Sequence, residues 1–292
     1  MNTKGWPSLS KRGDCISIES AGNLGDSGAD VILFKSLLAE GKQDLAINLS
    51  QEILSRSRSI EGRDHETEAW IRMERALLGT IPEDDIGKEL RWCVDRLAAL
   101  APGSPLHGLA LLNLGVWHRN NNERMMALVS LSEISTSSLH PNDIIGLARL
   151  ESGRILSEMG DKEPAMRHLW VAMERLSGSN LSEEALVCGL EWLDLALDNV
   201  ESDSLSMASR IAVARPRENP GNSSAPSNPE DIKKVVGSLL PSLQADLSGH
   251  SRNDLGLVLD AGEILGIKEW REEMWERRGE IQDPRILAVL QS

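Results

Sequence analysis

The stretch LNLGVWHRNNNERMMALVSLSEI, Leu112 to Ile134, decides the fold because it predicts two short helices joined by a polar corner. Asn tolerates the left-handed backbone conformation and bonds to its own backbone, so the run Asn120–Asn122 favours a helix end and a turn. Met125 and Met126 begin the returning helix, and we expect at least one of them to fill the core. Trp117 is expected to pack between helices. The stretch therefore predicts the corner of a helical hairpin and not a cluster of reactive side chains.

Similar corners recur along the chain, each with an alanine five residues later. The turn position favours a residue that tolerates positive φ, and the small alanine allows the two helices to approach closely. The distance from Ala127 to Ala165 is 38 residues. The second helix pair is expected to lack the turn glycine. The turn and alanine pairs are Gly41 and Ala46, Asn122 and Ala127, Gly160 and Ala165, and Asp203 and Ala208.

Apolar residues at helical spacing predict five helix pairs, at 30–53, 69–100, 112–134, 144–176 and 186–214. The Gly-, Ser- and Asp-rich residues 1–26 are expected to be disordered, and 27–215 to form a helical repeat domain. Residues 216–230, PRENPGNSSAPSNPE, contain four prolines and predict a flexible linker or a long loop. Residues 231–292 are expected to form a helical cap or a separate module, with a kink or break at Pro241.

Three segments carry a resemblance to a known family: EGKQDLAINLSQEIL, LGVWHRNNNERMMALVSLSEI and RILSEMGDKEPAMRHLWVAMERL. They resemble tetratricopeptide (TPR) repeats, whose period is roughly 34 residues. Leu114–Gly115 matches the family's Leu-Gly pair, and Trp70 and Trp192 fall at its early Trp position. The resemblance covers residues 27–215 and implies an all-α fold of antiparallel helix pairs stacked as a right-handed α-solenoid. The family's helix-A tyrosine is missing, with His118 in its place once, and an irregular α-solenoid or bundle is the alternative.

Composition narrows the class of protein. The 292 residues carry a net charge of −14, which repels phosphate backbones and argues against nucleic acid as a partner. Cys15, Cys93 and Cys188 are odd in number and outside CxxC spacing, so we expect a reducing compartment. We expect no signal peptide and no membrane span, because no apolar run is long enough, and therefore a cytoplasmic location.

Motifs for chemistry are weak. His65 lies among Asp64, Glu66 and Glu68, but no paired metal-ligand spacing is present. The glycines of residues 22–30, GNLGDSGAD, lack the strand and the Lys-Ser/Thr frame of a phosphate-binding loop. Neither GxSxG nor SxxK is present. We therefore expect no catalytic residue, no cofactor and no metal.

The TPR resemblance implies a concave groove lined by the first helix of each pair. Its register places Lys35, Arg75, Arg119 and Arg154 toward this groove. The Lys/Asn set by which some TPR domains bind a C-terminal carboxylate is not reproduced, and only Asn113 falls at a matching position. A basic, partly apolar groove suits a peptide with carboxylates, because Arg offers a bidentate fork. The alternative is ordinary exposed cations paired with neighbouring acids. The apolar residues expected beside the cations are Val31, Ile71, Leu112, Val116, Leu150, Leu193 and Leu197.

These observations favour a noncatalytic scaffold that binds a partner peptide or helix in the groove, and the cations of the groove favour an acidic partner. One alternative is an enzyme whose site is assembled from distant helices. Another is a regulatory protein that self-associates through Trp270 and Trp275, since Trp is enriched in binding hot spots. The charges around these two Trp are expected to form helical pairs such as Glu273–Arg277.

Overall fold

A computed structural model describes residues 28–201, 229–245, 252–281 and 284–291. Over these residues the protein is helical and contains no strand, which confirms the all-α prediction. None of the helices in the described ranges is both long and apolar enough to cross a bilayer. The chain divides into two compact units, Met1–Glu151 and Ser152–Ser292. The predictions for 1–26, for most of the 216–230 linker and for a helix at 205–214 lie outside the described residues.

Consecutive helices pack on one another throughout the first unit, from α1 to α6. Most of the connections between them are short, so neighbouring helices run antiparallel. The last helix, α7, continues across the division into the second unit. The helices are α1 (Gly28–Ala39), α2 (Gln43–Ser57), α3 (His65–Leu77), α4 (Glu83–Leu100), α5 (Pro105–Asn120), α6 (Arg124–Ser132) and α7 (Asn142–Glu158).

Helices α1, α3, α5 and α7 end in the same way. Each is followed by a residue with positive φ, namely Gly41, Gly79, Asn122 or Gly160. The next N–H then donates to a carbonyl five residues earlier, as Lys42 does to Leu37 at 2.9 Å, which satisfies the last helical carbonyls. Gly79 corrects the expectation that the second pair lacks a turn glycine. The connection to α4 is longer there, so no alanine follows Gly79 by five residues.

We call α1, α3, α5, α7 and α9 the A helices and α2, α4, α6 and α8 the B helices. Seven residues before the cap, Gly115 and Gly153 pack against Leu131 and Leu169 of the following B helices. A Cβ on Gly115 would lie 2.8 Å from Leu131 Cγ, so no larger residue fits without movement. In α1 the same position is Phe34, and fully buried Ser50 stands at the leucine position of α2. The Phe34 ring packs edge-on against Trp70 of α3, with the ring centroids 5.4 Å apart.

In the second unit, α9 is the central helix and packs against α8, α10 and α11. Gly189 of α9 lies against Leu239 of α10, as Gly115 does against Leu131. The predicted kink or break at Pro241 is wrong as a break, because α10 continues through it. The helices are α8 (Lys162–Ser177), α9 (Ser182–Glu201), α10 (Pro229–Ala245), α11 (Arg252–Leu265), α12 (Glu269–Glu276) and α13 (Pro284–Gln291), with a 3-10 turn at Arg278–Glu280.

Candidate functional site

The positive-φ caps give a common reference for the predicted groove residues. Lys35 and Arg154 each lie six residues before their cap, Arg119 three and Asn113 nine. Because three residues are nearly one helical turn, these four share one side of their helices, which we call the A face. Arg75 lies four residues before its cap and is out of this register. Its Nη1 donates to Ser50 Oγ on α2 at 2.8 Å, so Arg75 faces the preceding B helix.

Arg154 of α7 binds Glu191 of α9 in the second unit. Its Nε and Nη2 donate to the carboxylate oxygen Oε1 at 2.9 and 2.6 Å. The side chain of Arg154 is 23% exposed and that of Glu191 is 33% exposed. The guanidinium is therefore held in one orientation while part of the pair stays accessible to a partner.

Arg119 of α5 makes a comparable pair in a more buried setting. Its Nη1 lies 2.7 Å from Glu151 Oε2 on α7, within the first unit. The Glu151 side chain is only 3% exposed. Removing one partner of a buried ion pair is costly, so the contact between Arg119 and Glu151 ties α5 to α7.

Residues of the A face also meet between α1 and α3 and between α3 and α5. Burial lowers the pKa of Lys35 on α1, and the nearby carboxylate of Glu74 on α3 acts in the opposite direction. Between α3 and α5, Asn113 Nδ2 lies 3.5 Å from Met73 Sδ. Met73 lies six residues before its cap, in the register of Lys35 and Arg154. At three junctions between A helices, a cation therefore lies near an acid of the next A helix. At the junction of α3 and α5, Asn113 and Met73 take the place of this pair.

These contacts alter the prediction of a basic groove, because its two best-defined cations are paired. Arg119 and Arg154 are paired with acids of neighbouring A helices, as the alternative interpretation of the sequence had it. The expected apolar lining is wrong for most of its members, because their side chains are buried and offer almost no surface to a partner; only Val116 is half-buried. The buried members are Val31, Ile71, Leu112, Leu150, Leu193 and Leu197.

Sequence reasoning missed a third arginine pair, Arg72 with Glu89. Arg72 Nη2 donates to Glu89 Oε2 at 2.6 Å, and the guanidinium lies 3.5 Å from the centre of the Trp92 ring. Arg72 stands seven residues before its cap, the register that faces the helix's own B helix. The two residues are 17 positions apart on different helices, so no helical spacing in the sequence reveals them.

Other candidate chemistry is weak among the described residues. No three His, Cys, Asp or Glu side chains in those ranges form a cluster suited to a metal ion. His65 Nδ1 lies 3.8 Å from Glu68. Burial raises the pKa of the Cys93 and Cys188 thiols to about 12, so both remain protonated and unreactive near neutral pH.

The C-terminal helices form a cleft of about 390 Å³. It is lined by both signs of charge, from Glu263, Lys268 and Arg271, beside half-buried Trp270. Nearby, Arg277 bonds to Glu280 at 3.0 Å, where the sequence suggested Glu273 as its partner. Mixed charge gives this cleft no clear preference for a ligand class.

Comparisons of the chain with protein-family models, with curated proteins and with solved structures gave no match. The TPR resemblance therefore rests on the residues of this chain.

Proposed function

We propose that the protein is a noncatalytic interaction scaffold, built as a TPR-like right-handed α-solenoid, whose A face binds a peptide or helix of another protein. The observation that carries the proposal is the shared register of Lys35, Arg119 and Arg154, counted from equivalent helix caps. A polar side chain repeated at one position of successive helices is the arrangement that repeat proteins use to present an extended binding surface.

Arg154 and Glu191 are the best-placed binding residues. Both are partly exposed, and the fork between them fixes the guanidinium before a partner arrives. A preorganised side chain loses less conformational entropy on binding than a free one. Because each cation has a carboxylate nearby, the face favours a partner with polar groups of both signs over a uniformly acidic peptide.

The experiment exchanges the charges and preserves the ion pair. The double variant Arg154→Glu with Glu191→Arg is compared with wild type by affinity purification and quantitative mass spectrometry. We expect the recovered amount of the main stoichiometric partner to fall about tenfold or more, since truncating a hot-spot residue commonly costs about 2 kcal/mol or more. Thermal unfolding of both proteins checks that the fold is retained.

The matched control is Arg72→Glu with Glu89→Arg. This pair is also a bidentate arginine–carboxylate fork, but its acid lies on α4, the B helix of the same pair, and not on a neighbouring A helix. We expect the control to retain the partner. Full retention of the partner by the Arg154 and Glu191 exchange, or equal loss in both exchanges, would contradict binding at the A face.

Self-association is a second candidate function, favoured by the partial exposure of Trp270 and Trp275 on α12. Met274 between them is buried, so the helix presents its Trp at the edge of its packed side. Light scattering of wild type and Trp270→Ala tests it, and an unchanged monomeric mass in both would rule it out.

A further inference from the structure

Two buried histidines meet between two loops of the first unit. His107 belongs to the first turn of α5, and His140 lies in the loop that precedes α7. Their side chains approach with His140 Nε2 3.3 Å from His107 Nδ1, and each residue is less than a tenth exposed. The loops are themselves in contact, because a Cβ on Gly103 would lie 2.7 Å from Leu139 Cβ.

The hydrogen bonds assign the proton of His107. The N–H of Gly103 donates to His107 Nδ1 at 3.2 Å, so this nitrogen carries the lone pair and Nε2 carries the hydrogen. His107 Nε2 is buried and has no hydrogen-bond partner among the described residues. The close nitrogen of His140 must then donate to the same Nδ1. The lone pair of His107 Nδ1 thus accepts hydrogen bonds from the backbone of the α4–α5 loop and from the His140 ring in the α6–α7 loop.

The two histidines differ in whether an added proton on Nδ1 would find a hydrogen-bond acceptor. His140 Nδ1 lies 3.0 Å from Ser138 Oγ. The Ser138 hydroxyl donates its hydrogen to the Ser135 carbonyl at 2.6 Å, so its oxygen can still accept a hydrogen bond. A proton added to His140 Nδ1 therefore has an acceptor already in place. A proton added to His107 Nδ1 instead meets two donors, the Gly103 N–H and the His140 Nε2–H, and has no acceptor.

We propose that protonation of His107 at Nδ1 opens the contact between the α4–α5 and α6–α7 loops, which makes this junction acid-sensitive. The contact, which we call the histidine contact, consists of Gly103, His107 and His140. It is independent of the A face, since none of its residues lies there. Opening frees the start of α5 and the segment before α7, and loosens the first unit at the third helix pair.

Burial and the charges around the histidine contact determine in which direction the pKa values of His107 and His140 shift. Burial lowers the pKa of both imidazoles, and His107 lowers the pKa of His140 further. Glu133, at the end of α6, acts in the opposite direction on the pKa of His107. At the start of α7, the Asp143 carboxylate accepts a hydrogen bond from the Ile144 N–H at 2.8 Å.

A lowered folded-state pKa means that the unfolded chain binds the proton more readily than the folded protein. Stability from the histidine contact is therefore complete above the ordinary histidine pKa of about 6.5. It is lost as the pH falls from there toward the lowered folded-state pKa. The first unit is expected to unfold more easily at mildly acidic pH than at neutral pH.

The first test is hydrogen exchange of the full chain between about pH 5 and 7.5, spanning the ordinary histidine pKa. After correction for the intrinsic rate, we expect protection of the Gly103 amide to fall at least tenfold on acidification, because its acceptor becomes a donor. Amides in the α8 interior serve as the internal reference. Unchanged Gly103 protection across this range would overturn the proposal.

The second test replaces the imidazoles by non-titrating groups that keep the hydrogen bonds. Asn at 107 offers an acceptor near the Nδ1 position, and Gln at 140 offers a donor near Nε2. The double variant His107→Asn with His140→Gln should lose the acid-dependent drop in Tm, on the order of 3 °C for each unit of pKa shift. The control His65→Gln removes an imidazole elsewhere and should keep the drop. An equal drop in the double variant and wild type would also overturn the proposal.

Discussion

The α5/α6 pair and the α9/α10 pair are built on the same contact but joined in different ways. Gly115 packs on Leu131 in the first, and Gly189 packs on Leu239 in the second. Asn122 and its two neighbours connect α5 to α6, whereas 27 residues, 202–228, separate α9 from α10. The same glycine–leucine contact therefore joins two helices that are adjacent in the sequence and two described helices that are 27 residues apart.

The two pairs also differ in the burial of their A-face ion pairs. Glu151, the partner of Arg119 on α5, is 3% exposed, and Glu191 on α9, the partner of Arg154, is 33% exposed. Since water screens the second pair, its geometry costs less to disturb. The loss of Arg119 is therefore expected to cost the fold more than the loss of Arg154.

The largest expected effect is the loss of the buried ion pair. Arg119→Leu removes the guanidinium that contacts the buried Glu151 carboxylate and should lower the free energy of unfolding by about 3 kcal/mol. Arg154→Leu, at the more exposed pair, should lower it by about 1 kcal/mol or less. Urea unfolding followed by circular dichroism measures both. Equal losses would show that burial does not distinguish the two pairs.

A graded series of Gly→Ala variants tests the shared contact. At Gly115 the new Cβ would lie 2.8 Å from both Cγ and Cδ2 of Leu131, so we expect a net loss of about 1 kcal/mol. At Gly189 the closest atom is the mobile end of Leu239, at 2.6 Å, and the helix propensity of Ala should offset most of the cost.

The control for this series is Gly237→Ala in α10. A Cβ there meets nothing within 4 Å, so Ala should stabilise the helix by about 0.5 to 1 kcal/mol. The midpoint of urea unfolding should therefore rise for Gly237→Ala and fall for Gly115→Ala. A rise in both would mean that the contact between Gly115 and Leu131 is loose.

Much of this comparison could be predicted from the sequence. Helical periodicity and the turn residues Gly41, Asn122 and Gly160 located the first four helix pairs, because local hydrogen bonding alone specifies them. The second helix of the fifth pair, at 205–214, lies outside the described residues. Among the described helices, α10 packs on α9 although 27 residues separate the two in the sequence.

The side chains of the candidate site were predicted less well than the helices. The sequence identified Lys35, Arg119 and Arg154 as residues on one helix face, but not their acidic partners. Glu74, Glu151 and Glu191 lie on the next A helix, more than 30 residues away in each case, and no local spacing encodes such contacts. Arg75 was placed in this set because the sequence did not reveal Gly79 as the cap of α3; counted from Gly79, Met73 takes the position of Lys35 and Arg154.

The turn itself offers a smaller test. Asn122 is the one non-glycine residue with positive φ in the described ranges, at 60°. Asn122→Gly removes the steric cost of this conformation and should stabilise the α5/α6 pair by about 0.5 kcal/mol. Asn122→Ala should destabilise it by a similar amount or more, since a Cβ without a polar group gains no local hydrogen bond. Thermal unfolding at neutral pH compares the two, and equal Tm values would exclude a role for backbone strain.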